Sequence, residues 1–567
     1  MMNNVPATSL SQSVRAAILL IVLGYILIYL LPLGLRPLYT PDETRYGQIP
    51  YEMIQTGNWA APHLVGLRYF EKPPMGYWLN AISIELFGKN NFAVRLPSAL
   101  SAGLSAWFVW LLLIRLGFSR ITAITSAAVY LSMAEVLIVG SIAVLDTPFS
   151  FFLTGGMSLF YLALKDPVRR RERFYLVSSG LFFGMAFLTK GFLAMVLPGL
   201  VILGYAIWQK EFSIIKKSLW AAAAGIITIL PWSIIIQIRE PDFWHFFFWH
   251  EHIRRFMEPN AQHMEPFYYF LMYMPVFAFP WLAYLPACIS GLKQRATNPD
   301  LIRYLILWIV LLFLFFSVSK GKLATYVLPI FAPLAAYITA GIIEYLKSGK
   351  TRLFILGALI NTLTLLILLA FVVYRQFDDP GKSLLQLNES GITHTLILSI
   401  IVTAALCLSP VFLKTTYRRI VAIVITVVPL FAFITLVVPH SSLARLTPVP
   451  LLKKEKHLIT PDTMLVSDAS IVRAVAWVLD RRDIYLLSKG ELKYGLNYPD
   501  AKGRYLGING LNALLKKVKQ GSFKRKIAVF CQDPCPKIST AMNDTDAKYI
   551  SNQNFSIWVL NPDKSQQ

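Results

Sequence analysis

The residues best suited to chemistry in this chain follow its first long apolar run, in the stretch PDETRY. Asp42, Glu43 and Arg45 lie there within four positions, although only 15% of the 567 residues are charged. Charges are costly to desolvate at a membrane, and many only anchor a helix end. A carboxylate kept ionised by a nearby guanidinium can also take a proton or hold an amino or hydroxyl group. Asp42 and Arg45 are therefore candidates for chemistry, whereas Glu43 and Glu52 are expected to be solvated or paired with a neighbouring base.

Further polar side chains occur at the ends of other apolar runs. They are His63, Arg68, Glu71 and Lys72 in the first loop; Asp146 in AVLD; Lys190 in LTKGF; the four histidines and two adjacent arginines of REPDFWHFFFWHEHIRRFMEPNAQH; and Lys320, Lys322 and Tyr326 in SVSKGKLATYVLP. Lysine and arginine suit a phosphate at headgroup level, which arginine can bind with two hydrogen bonds. A carboxylate and a histidine from different segments can share a divalent metal that neutralises the same phosphate. This set indicates an enzyme or a transporter acting on a phosphorylated lipid.

The elements that position these residues are membrane helices. The chain is 56% hydrophobic with a mean hydropathy of +0.54, and a spanning helix needs about 20 apolar residues. About thirteen spans are predicted, near 16–35, 97–114, 120–140, 146–164, 174–190, 192–208, 218–238, 266–290, 301–318, 322–346, 353–374, 393–413 and 419–438. The net charge of +23 lies mostly in short loops between the apolar runs, which favours membrane orientation and lipid contact over nucleic-acid binding.

The basic loops predict the orientation of the chain. Clustered bases such as RRRER at 169–173 fall in alternate loops, which the positive-inside rule makes cytoplasmic. An odd number of spans then places the N-terminus inside and the tail outside, in the periplasm of a bacterium. All the candidate residues lie on that outer side, which weakens the interpretation of each one as a simple anchor.

The composition changes after Pro439. Short apolar stretches (TMLVSD, DIYLLS, KIAVFC and FSIWVL) alternate with amphipathic segments such as LNALLKKVKQ, a pattern typical of a small soluble α/β domain. The predicted organisation is a transmembrane domain over 1–440, a first outer loop with interfacial helices at 36–96, an outer loop at 239–265, and the α/β domain at 450–567. A local disulfide between Cys531 and Cys535 is plausible if the tail faces an oxidising compartment.

Several of these segments together resemble one family. PDETRYGQI, PHLVGLRYFEKPPMGYW, AVLDTP, LTKGF, EPDFWHFFFWHEHIRRF, SVSKGKLATYVLP and GELKYGLNYPDAKGRY are similar to motifs of the 4-amino-4-deoxy-L-arabinose lipid A transferases. These are polyprenyl-phosphate-dependent glycosyltransferases of the GT-C superfamily. PDE alone is a weak signal, but agreement among distant segments from the first helix into the tail is a strong one. The resemblance implies a polytopic α-helical membrane protein of GT-C type with a small C-terminal α/β domain.

The resemblance also implies an activity. The donor would be undecaprenyl phosphate carrying 4-amino-4-deoxy-L-arabinose, and the acceptor would be the phosphate groups of lipid A at the periplasmic face of the inner membrane. The masked negative charge would give resistance to polymyxin and cationic antimicrobial peptides. The expected partners are these two substrates and membrane lipids, with no nucleic acid, and the expected state is a monomer.

Roles for individual residues follow from the matched motifs. The resemblance implies catalytic roles for Asp42 and Asp146, substrate contacts for Arg45, Tyr46, Lys72, Lys190, Arg255 and Tyr326, and a divalent metal, zinc, on Glu71 and His252. His250 or His263 in place of His252, and Arg254 in place of Arg255, stay open.

Other functions are compatible with parts of the sequence. One alternative is a GT-C transferase that moves a different lipid-linked sugar, because the residues that select the amino sugar are not readable. Another is a lipid-sugar flippase or other transporter, for which ionisable residues near mid-membrane in paired halves would be expected. The charges instead gather on one predicted face. The tail could also be an independent binding module.

Overall fold

The computed structural model describes residues 12–254, 264–295, 297–377, 390–437, 439–552 and 554–562. The chain forms two compact units, each assembled from separated segments. The helical unit comprises the described residues of Met1–Leu33, Ser98–Pro231 and His252–Val437. The loop–tail unit comprises those of Gly34–Pro97, Trp232–Glu251 and Val438–Gln567.

The helical unit consists of long apolar helices. In chain order, the helices that lie in it wholly or largely are Gln12–Tyr25, continued by Ile26–Leu30 and Leu31–Gly34, then Asn91–Arg115, Arg120–Leu131, Ala134–Gly140, Asp146–Lys165, Arg169–Lys190, Leu193–Gln209, Ser213–Arg239, Tyr269–Phe277, Trp281–Tyr284, Leu285–Gln294, Pro299–Val318, Ala324–Ile330, Phe331–Lys347, Arg352–Phe377, Ser390–Phe412, Thr416–Thr426 and Val428–Leu436. Several begin at side-chain caps: Ser119, Asn298 and Thr415 each accept a hydrogen bond from the backbone N–H three residues on.

The helices confirm a multi-span membrane protein, although not the predicted number of spans. In the described ranges, nine helices are long and apolar enough to cross a membrane, and two bent pairs bring the number to at most eleven. The segments predicted near 174–190 and 192–208 are the helices Arg169–Lys190 and Leu193–Gln209, which are not among those eleven. The former begins with four arginines and a glutamate in its first five residues, and the latter has only 17 residues. Thirteen spans therefore stay a prediction.

Small residues allow these helices to pack closely. A Cβ atom added to Gly180 would lie 2.1 Å from the carbonyl oxygen of Ala221, and one added to Gly291 would lie 2.1 Å from that of Gly341. Both distances are too short for any side chain, so each glycine permits two helix backbones to touch. Such contacts are the usual means of packing helices where water supplies no hydrophobic driving force.

The loop–tail unit joins the first loop to the C-terminal region. Its helices are Asp42–Thr56, Met75–Phe87, Phe243–His245, the π-helix Phe246–Arg254, His440–Leu446, Val449–Glu455, Lys456–Leu458, Val472–Leu479, the short turns Gly490–Lys493, Gly495–Asn497 and Pro499–Ala501, then Gly507–Lys519 and Pro536–Asn543. The first loop also contains a two-stranded hairpin of β1 (His63–Leu64) and β2 (Leu67–Arg68), which was not predicted from the sequence pattern.

The C-terminal sheet contains the four strands predicted from the sequence. They are β3 (Met464–Ser467), β4 (Tyr485–Leu486), β5 (Ile527–Gln532) and β7 (Phe555–Leu560); β6 (Lys548–Ser551) is added at one edge. The strand order is β4-β3-β5-β7-β6, with β3 parallel to β4 and β5, and β7 antiparallel to both of its neighbours. In register, Val466 lies opposite Val529, and Val529 opposite Trp558.

The predicted amphipathic segment LNALLKKVKQ lies in the helix Gly507–Lys519. Its Leu511, Leu515 and Val518 are buried against Ile527 and Val529 of the sheet, because residues three or four apart share one helix face. The fold class is thus confirmed: a helical membrane region followed by a small α/β region. Cys531 and Cys535 are joined by a disulfide.

Candidate active site

Asp42 and Arg45 lie in the first turn of the helix Asp42–Thr56, in the loop–tail unit. Asp42 is the first helical residue, and 57% of its side chain is exposed. The Nη1 atom of Arg45 lies 3.1 Å from Oδ1 of Asp42. A carboxylate is favoured at a helix N-terminus, where the peptide dipoles place partial positive charge. Asp42 is thus oriented by Arg45 while it stays accessible.

A glutamate from the C-terminal region holds Arg45 from its other side. The Nη2 atom of Arg45 lies 2.6 Å from Oε2 of Glu491, and Nε of Arg473 donates to Oε1 of Glu491 at 2.8 Å. Burial alone would raise the pKa of Glu491, but the charges of Arg45 and Arg473 outweigh burial and lower it. Glu491 is therefore held as an anion between two guanidinium groups.

The segment after β2 brings three more side chains to this cluster. The hydroxyl of Tyr69 donates to Oε2 of Glu71 at 2.7 Å and also contacts Oε2 of Glu491 at 3.4 Å. The Nζ atom of Lys72 donates to the backbone oxygen of Glu71 at 2.9 Å and forms an ion pair of 3.2 Å with Glu251. Residues predicted from separate motifs are therefore connected through direct contacts. We call Asp42, Arg45, Tyr69, Glu71, Lys72, Glu251, Arg473 and Glu491 the Arg45 cluster.

Glu71, one of the two predicted metal ligands, lies in an unusual electrostatic setting. Burial and the negative charge of Glu251 both raise the pKa of Glu71, and only Arg45 and Lys72 oppose them among its main neighbours. Two partly buried carboxylates that repel each other are suited to a divalent cation, which would neutralise both. Within the described residues, no group of three or more His, Cys, Asp or Glu side chains is arranged to hold a metal ion.

Two predicted residues lie outside the part of the chain that the structure describes. His252 belongs to the π-helix Phe246–Arg254, but its side chain is not among the described ones, and Arg255 falls in the gap before 264. The choice among the histidines and between the two arginines therefore stays a prediction. Glu251, immediately before His252, is the described member of this segment that joins the Arg45 cluster.

Tyr46 lies beside the cluster. Its ring centroid is 6.1 Å from that of Tyr77, and the guanidinium carbon of Arg45 lies 5.9 Å from the ring centroid of Tyr46. The buried Nε of Arg45 and hydroxyl of Tyr77 find no hydrogen-bond acceptor or donor among the described residues. Buried polar atoms without partners are rare in native proteins and require an explanation such as a bound ligand or water. The described residues therefore leave both atoms without the partner that a water or a ligand would supply.

Glu43 and Glu52 are buried and hold neighbouring parts of the first loop in place through hydrogen bonds. Glu43 is buried and accepts two hydrogen bonds from Arg95, from Nε at 2.6 Å and from Nη2 at 2.7 Å, with Arg36 as a second partner. The expectation of pairing is confirmed for Glu43, but its main partner lies 52 residues along the chain. This bidentate pair fixes the N-terminal end of the helix that carries Asp42.

The expectation that Glu52 is solvated or paired with a base is wrong. Its carboxylate accepts backbone N–H groups of Val65 at 2.7 Å and Gly66 at 2.8 Å, together with the side-chain amide of Gln48 at 2.8 Å. Val65 and Gly66 have φ angles of 58° and 74° at the tip of the β1–β2 hairpin. A β-branched residue rarely adopts such a conformation, so Glu52 stabilises the turn that leads into Arg68 and Tyr69.

The helical unit carries a second, smaller charged group. Asp146 is the first residue of the helix Asp146–Lys165, and Lys190 is the last residue of Arg169–Lys190. The Nζ atom of Lys190 lies 2.7 Å from Oδ1 of Asp146, and 5.2 Å from the ring centroid of Tyr326. Each charge suits its helix end, an acid at an N-terminus and a base at a C-terminus. The structure therefore brings these three predicted residues together.

Sequence reasoning missed several members of these groups. Glu491 and Arg473 lie more than 400 residues from Arg45, and Glu251 stands among histidines that drew the metal prediction. Glu135, in the helical unit, interacts electrostatically with Asp146 and has a buried Oε1 atom without a hydrogen-bond partner among the described residues. The motif GELKYG could have indicated Glu491, because it contains an acid in a segment that the resemblance had already matched.

The Arg45 cluster, with Tyr46 beside it, provides an accessible carboxylate, several cations and aromatic rings. Cations can neutralise the phosphate of a lipid-linked substrate, a carboxylate can contact an amino or hydroxyl group, and tyrosine rings can pack against a sugar. This chemistry suits the transfer of a group from a phosphorylated lipid.

Comparisons with known proteins agree with this architecture. A family model described as dolichyl-phosphate-mannose-protein mannosyltransferase matches residues 14–247, and one described as the C-terminal domain of the arabinosyl transferase ArnT matches 444–559. A crystal structure of ArnT from Cupriavidus metallidurans bound to undecaprenyl phosphate has the same fold. Its TM-score is 0.80 at 20% sequence identity, and the match covers 96% of this chain and 98% of that one.

Two further proteins share more sequence identity with this chain than the ArnT of known structure does. A protein of Aeromonas salmonicida is 39% identical over 504 residues, which are 88% of this chain and 91% of that protein. A protein of Photorhabdus laumondii is 37% identical over 519 residues, 90% of this chain and 92% of that protein. Both are named undecaprenyl phosphate-α-4-amino-4-deoxy-L-arabinose arabinosyl transferase.

The fold is that of a multi-span membrane protein of the GT-C type. The more similar sequences show which family within this class the chain belongs to. The chain belongs to the family of undecaprenyl phosphate-α-4-amino-4-deoxy-L-arabinose arabinosyl transferases. The resemblance predicted from the motifs is confirmed.

Proposed function

We propose that this protein transfers 4-amino-4-deoxy-L-arabinose from undecaprenyl phosphate to phosphate groups of lipid A at the periplasmic face of the inner membrane. The observation that carries this proposal is the 39% identity, over 88% of the chain, to a protein named for the same donor. The basic loops at alternate ends of the spans support the periplasmic side. Masking the lipid A phosphates would lower the negative charge that polymyxin and cationic peptides bind.

Asp42 acts mainly by position and charge. A lipid A phosphate is already anionic at neutral pH, so its attack on the sugar needs little help from a strong base. Asp42 is accessible and oriented by Arg45, which suits contact with the ammonium or a hydroxyl of the sugar as well as proton transfer. Asp146 is the second acid of the reaction, and Tyr46 and Tyr326 contact the substrate.

Charge on the departing undecaprenyl phosphate is stabilised by cations. Lys72 uses two of its three N–H donors within the described residues, on Glu71 and Glu251, so one remains for a phosphate oxygen. Arg45, Lys190 and Arg255 complete the set of donors. Stabilising the leaving group supplies most of the barrier reduction. Attack opposite to departure would invert the anomeric centre.

A divalent ion, which we expect to be zinc, would be held by Glu71 and His252. When bound, it would neutralise negative charge on the donor phosphate. The repulsion between the partly buried carboxylates of Glu71 and Glu251 supports a cation at this place. Elemental analysis of the purified protein tests the assignment: Glu71→Ala and His252→Ala should each lower the metal content, and undiminished metal in both would contradict it.

We also propose that the monomer is the active form. Its mass in detergent, measured by light scattering together with transfer activity, checks this. Activity confined to a dimer would contradict it.

Mass spectrometry of lipid A tests the function. A strain that lacks its own transferase but makes the donor should gain aminoarabinose-modified lipid A when it expresses this chain. The same strain expressing Asp42→Asn at an equal level is the matched control and should not. Unmodified lipid A despite wild-type expression and donor supply would overturn the proposal.

A further inference from the structure

A polar cavity of about 360 Å³ in the loop–tail unit belongs to neither charged group. Its lining includes Lys89, Asn91, Lys453, Lys456, Trp477 and Asp480. We call it the Lys89 cavity. Three of these six side chains are ammonium groups and one is a carboxylate, so the lining is positively charged.

The single carboxylate is already satisfied. Oδ1 of Asp480 accepts hydrogen bonds from Lys89 at 3.1 Å and Gln55 at 3.3 Å, and its Oδ2 accepts one from Tyr51 at 3.3 Å. Over the described chain, neither Lys453 nor Lys456 forms an ion pair with a carboxylate. Two of the three positive charges in the cavity are therefore uncompensated.

The third ammonium is held in a fixed position. Nζ of Lys89 lies 3.9 Å from the ring centroid of Tyr51 and 4.9 Å from that of Trp477, besides its ion pair with Asp480. Burial and repulsion from Lys456 lower the pKa of Lys89, with Asp480 opposing both. Lys89 and Lys456 thus line the same cavity and repel each other, and an anion bound there would relieve this repulsion. A pre-positioned cation binds an anion at a smaller entropic cost than a mobile one.

The surroundings of the Lys89 cavity favour a lipid over a soluble anion. Asn91 begins the helix Asn91–Arg115, one of the nine candidate spans in the described ranges, so the cavity adjoins the end of that helix. Immediately before Lys89, the side chains of Ile82, Leu86 and Phe87 are 48%, 72% and 51% exposed. Exposed apolar side chains close in sequence to a cavity lined by three lysines match a molecule with acyl chains and a phosphate headgroup.

We propose that the Lys89 cavity binds the phosphate of an anionic lipid headgroup, with Lys89, Lys453 and Lys456 as its cationic ligands. The side-chain amide of Asn91 supplies a further donor, and the lipid's acyl chains lie against Leu86 and Phe87. This site is separate from the transfer reaction and does not depend on its mechanism.

Native mass spectrometry of the full chain in detergent tests the site. Phosphatidylglycerol is the anionic probe, and phosphatidylcholine, whose phosphate is balanced by an ammonium, is the neutral one. We expect Lys453→Gln/Lys456→Gln to weaken retention of phosphatidylglycerol by about tenfold or more, since each lysine near a membrane surface contributes appreciably to anionic-lipid binding. Phosphatidylcholine should bind weakly to both forms.

The run KKEK at 453–456 offers a matched control, because Lys454 does not line the cavity. Lys454→Gln/Lys516→Gln removes the same charge from exposed positions and should change retention by less than about twofold. Lys453→Arg/Lys456→Arg should retain the lipid, because the positive charge is kept. Equal thermal midpoints of the variants would establish that each is folded.

Three results would overturn the proposal. The first is unchanged lipid retention by Lys453→Gln/Lys456→Gln, and the second is an equal loss in the Lys454→Gln/Lys516→Gln control, which would indicate general surface charge. The third is displacement of phosphatidylglycerol by an equimolar amount of inorganic phosphate, which would make the cavity a site for free anions.

Discussion

The two charged groups of the protein differ in construction. The Arg45 cluster draws on four separated parts of the sequence, and Glu491 is shared between Arg45 and Arg473. The group in the helical unit is built on one ion pair, Asp146 with Lys190, at the ends of two consecutive helices, with Tyr326 and Glu135 as neighbours. In a shared network, removal of one side chain weakens the contacts of several others. In a single ion pair, removal of either side chain abolishes the same interaction. The first arrangement keeps an accessible carboxylate in place, and the second keeps two charges balanced.

The largest effect should come from Asp42. Because its side chain is 57% exposed, Asp42→Asn should leave the fold intact and lower the transfer rate by about 100-fold or more, through loss of the charge that Arg45 orients. Transfer from donor lipid to lipid A by the purified variant, followed by mass spectrometry, measures the loss. Asp462→Asn, another exposed aspartate, is the control. Full activity of Asp42→Asn would remove Asp42 from the site.

The Asp146–Lys190 pair should behave differently when it is broken. Asp146→Asn and Lys190→Met should each lower transfer by about tenfold or more and lower the thermal midpoint, because each leaves the opposite charge partly buried without its partner. The double variant should regain thermal stability but not activity. Activity and the midpoint of unfolding in detergent are the two measurements. A double variant less stable than either single one would contradict the description of Asp146 and Lys190 as one pair.

The smallest expected effect is on the pH dependence of stability and comes from Glu52. Burial raises the pKa of Glu52 from 4.5 to about 7. Between these values the folded protein binds more protons than the unfolded chain, so Glu52 lowers stability as pH rises from about 4.5 to 7, by up to about 3 kcal/mol. Glu52→Gln should flatten this slope in thermal midpoints measured from pH 4.5 to 8, whereas Glu85→Gln should not. An unchanged slope in Glu52→Gln would show that another group titrates there.

The sequence predicted those parts of the site that local chemistry determines. Asp42 with Arg45 and Asp146 with Lys190 stand at helix ends, where apolar runs stop and charge begins, so their candidacy could be inferred from pattern. The strands β3, β4, β5 and β7 were likewise predictable, because each is a short apolar stretch between polar segments. The motifs identified the family without any knowledge of the tertiary contacts.

The remaining features depend on contacts that no local pattern encodes. Glu491 reaches Arg45 across 446 residues, and Glu43 reaches Arg95 across 52. The burial of Glu52 follows from the hairpin turn at Val65, which has no strong turn signal because valine rarely adopts a positive φ. The count of thirteen spans stays a prediction, because the helices Arg169–Lys190 and Leu193–Gln209, which lie in the helical unit, do not meet the length and hydropathy criterion within the described ranges.

The central claim is that the first loop and the tail form one functional cluster through Arg45 and Glu491. A double-mutant cycle of transfer rates with Arg45→Gln and Glu491→Gln tests it most directly. Each single variant should transfer the sugar about tenfold or more slowly than the wild type. The double variant should be slower than the less active single variant by no more than about twofold, because both changes break the same contact. If the two losses multiply instead, Arg45 and Glu491 act independently and the claim is wrong.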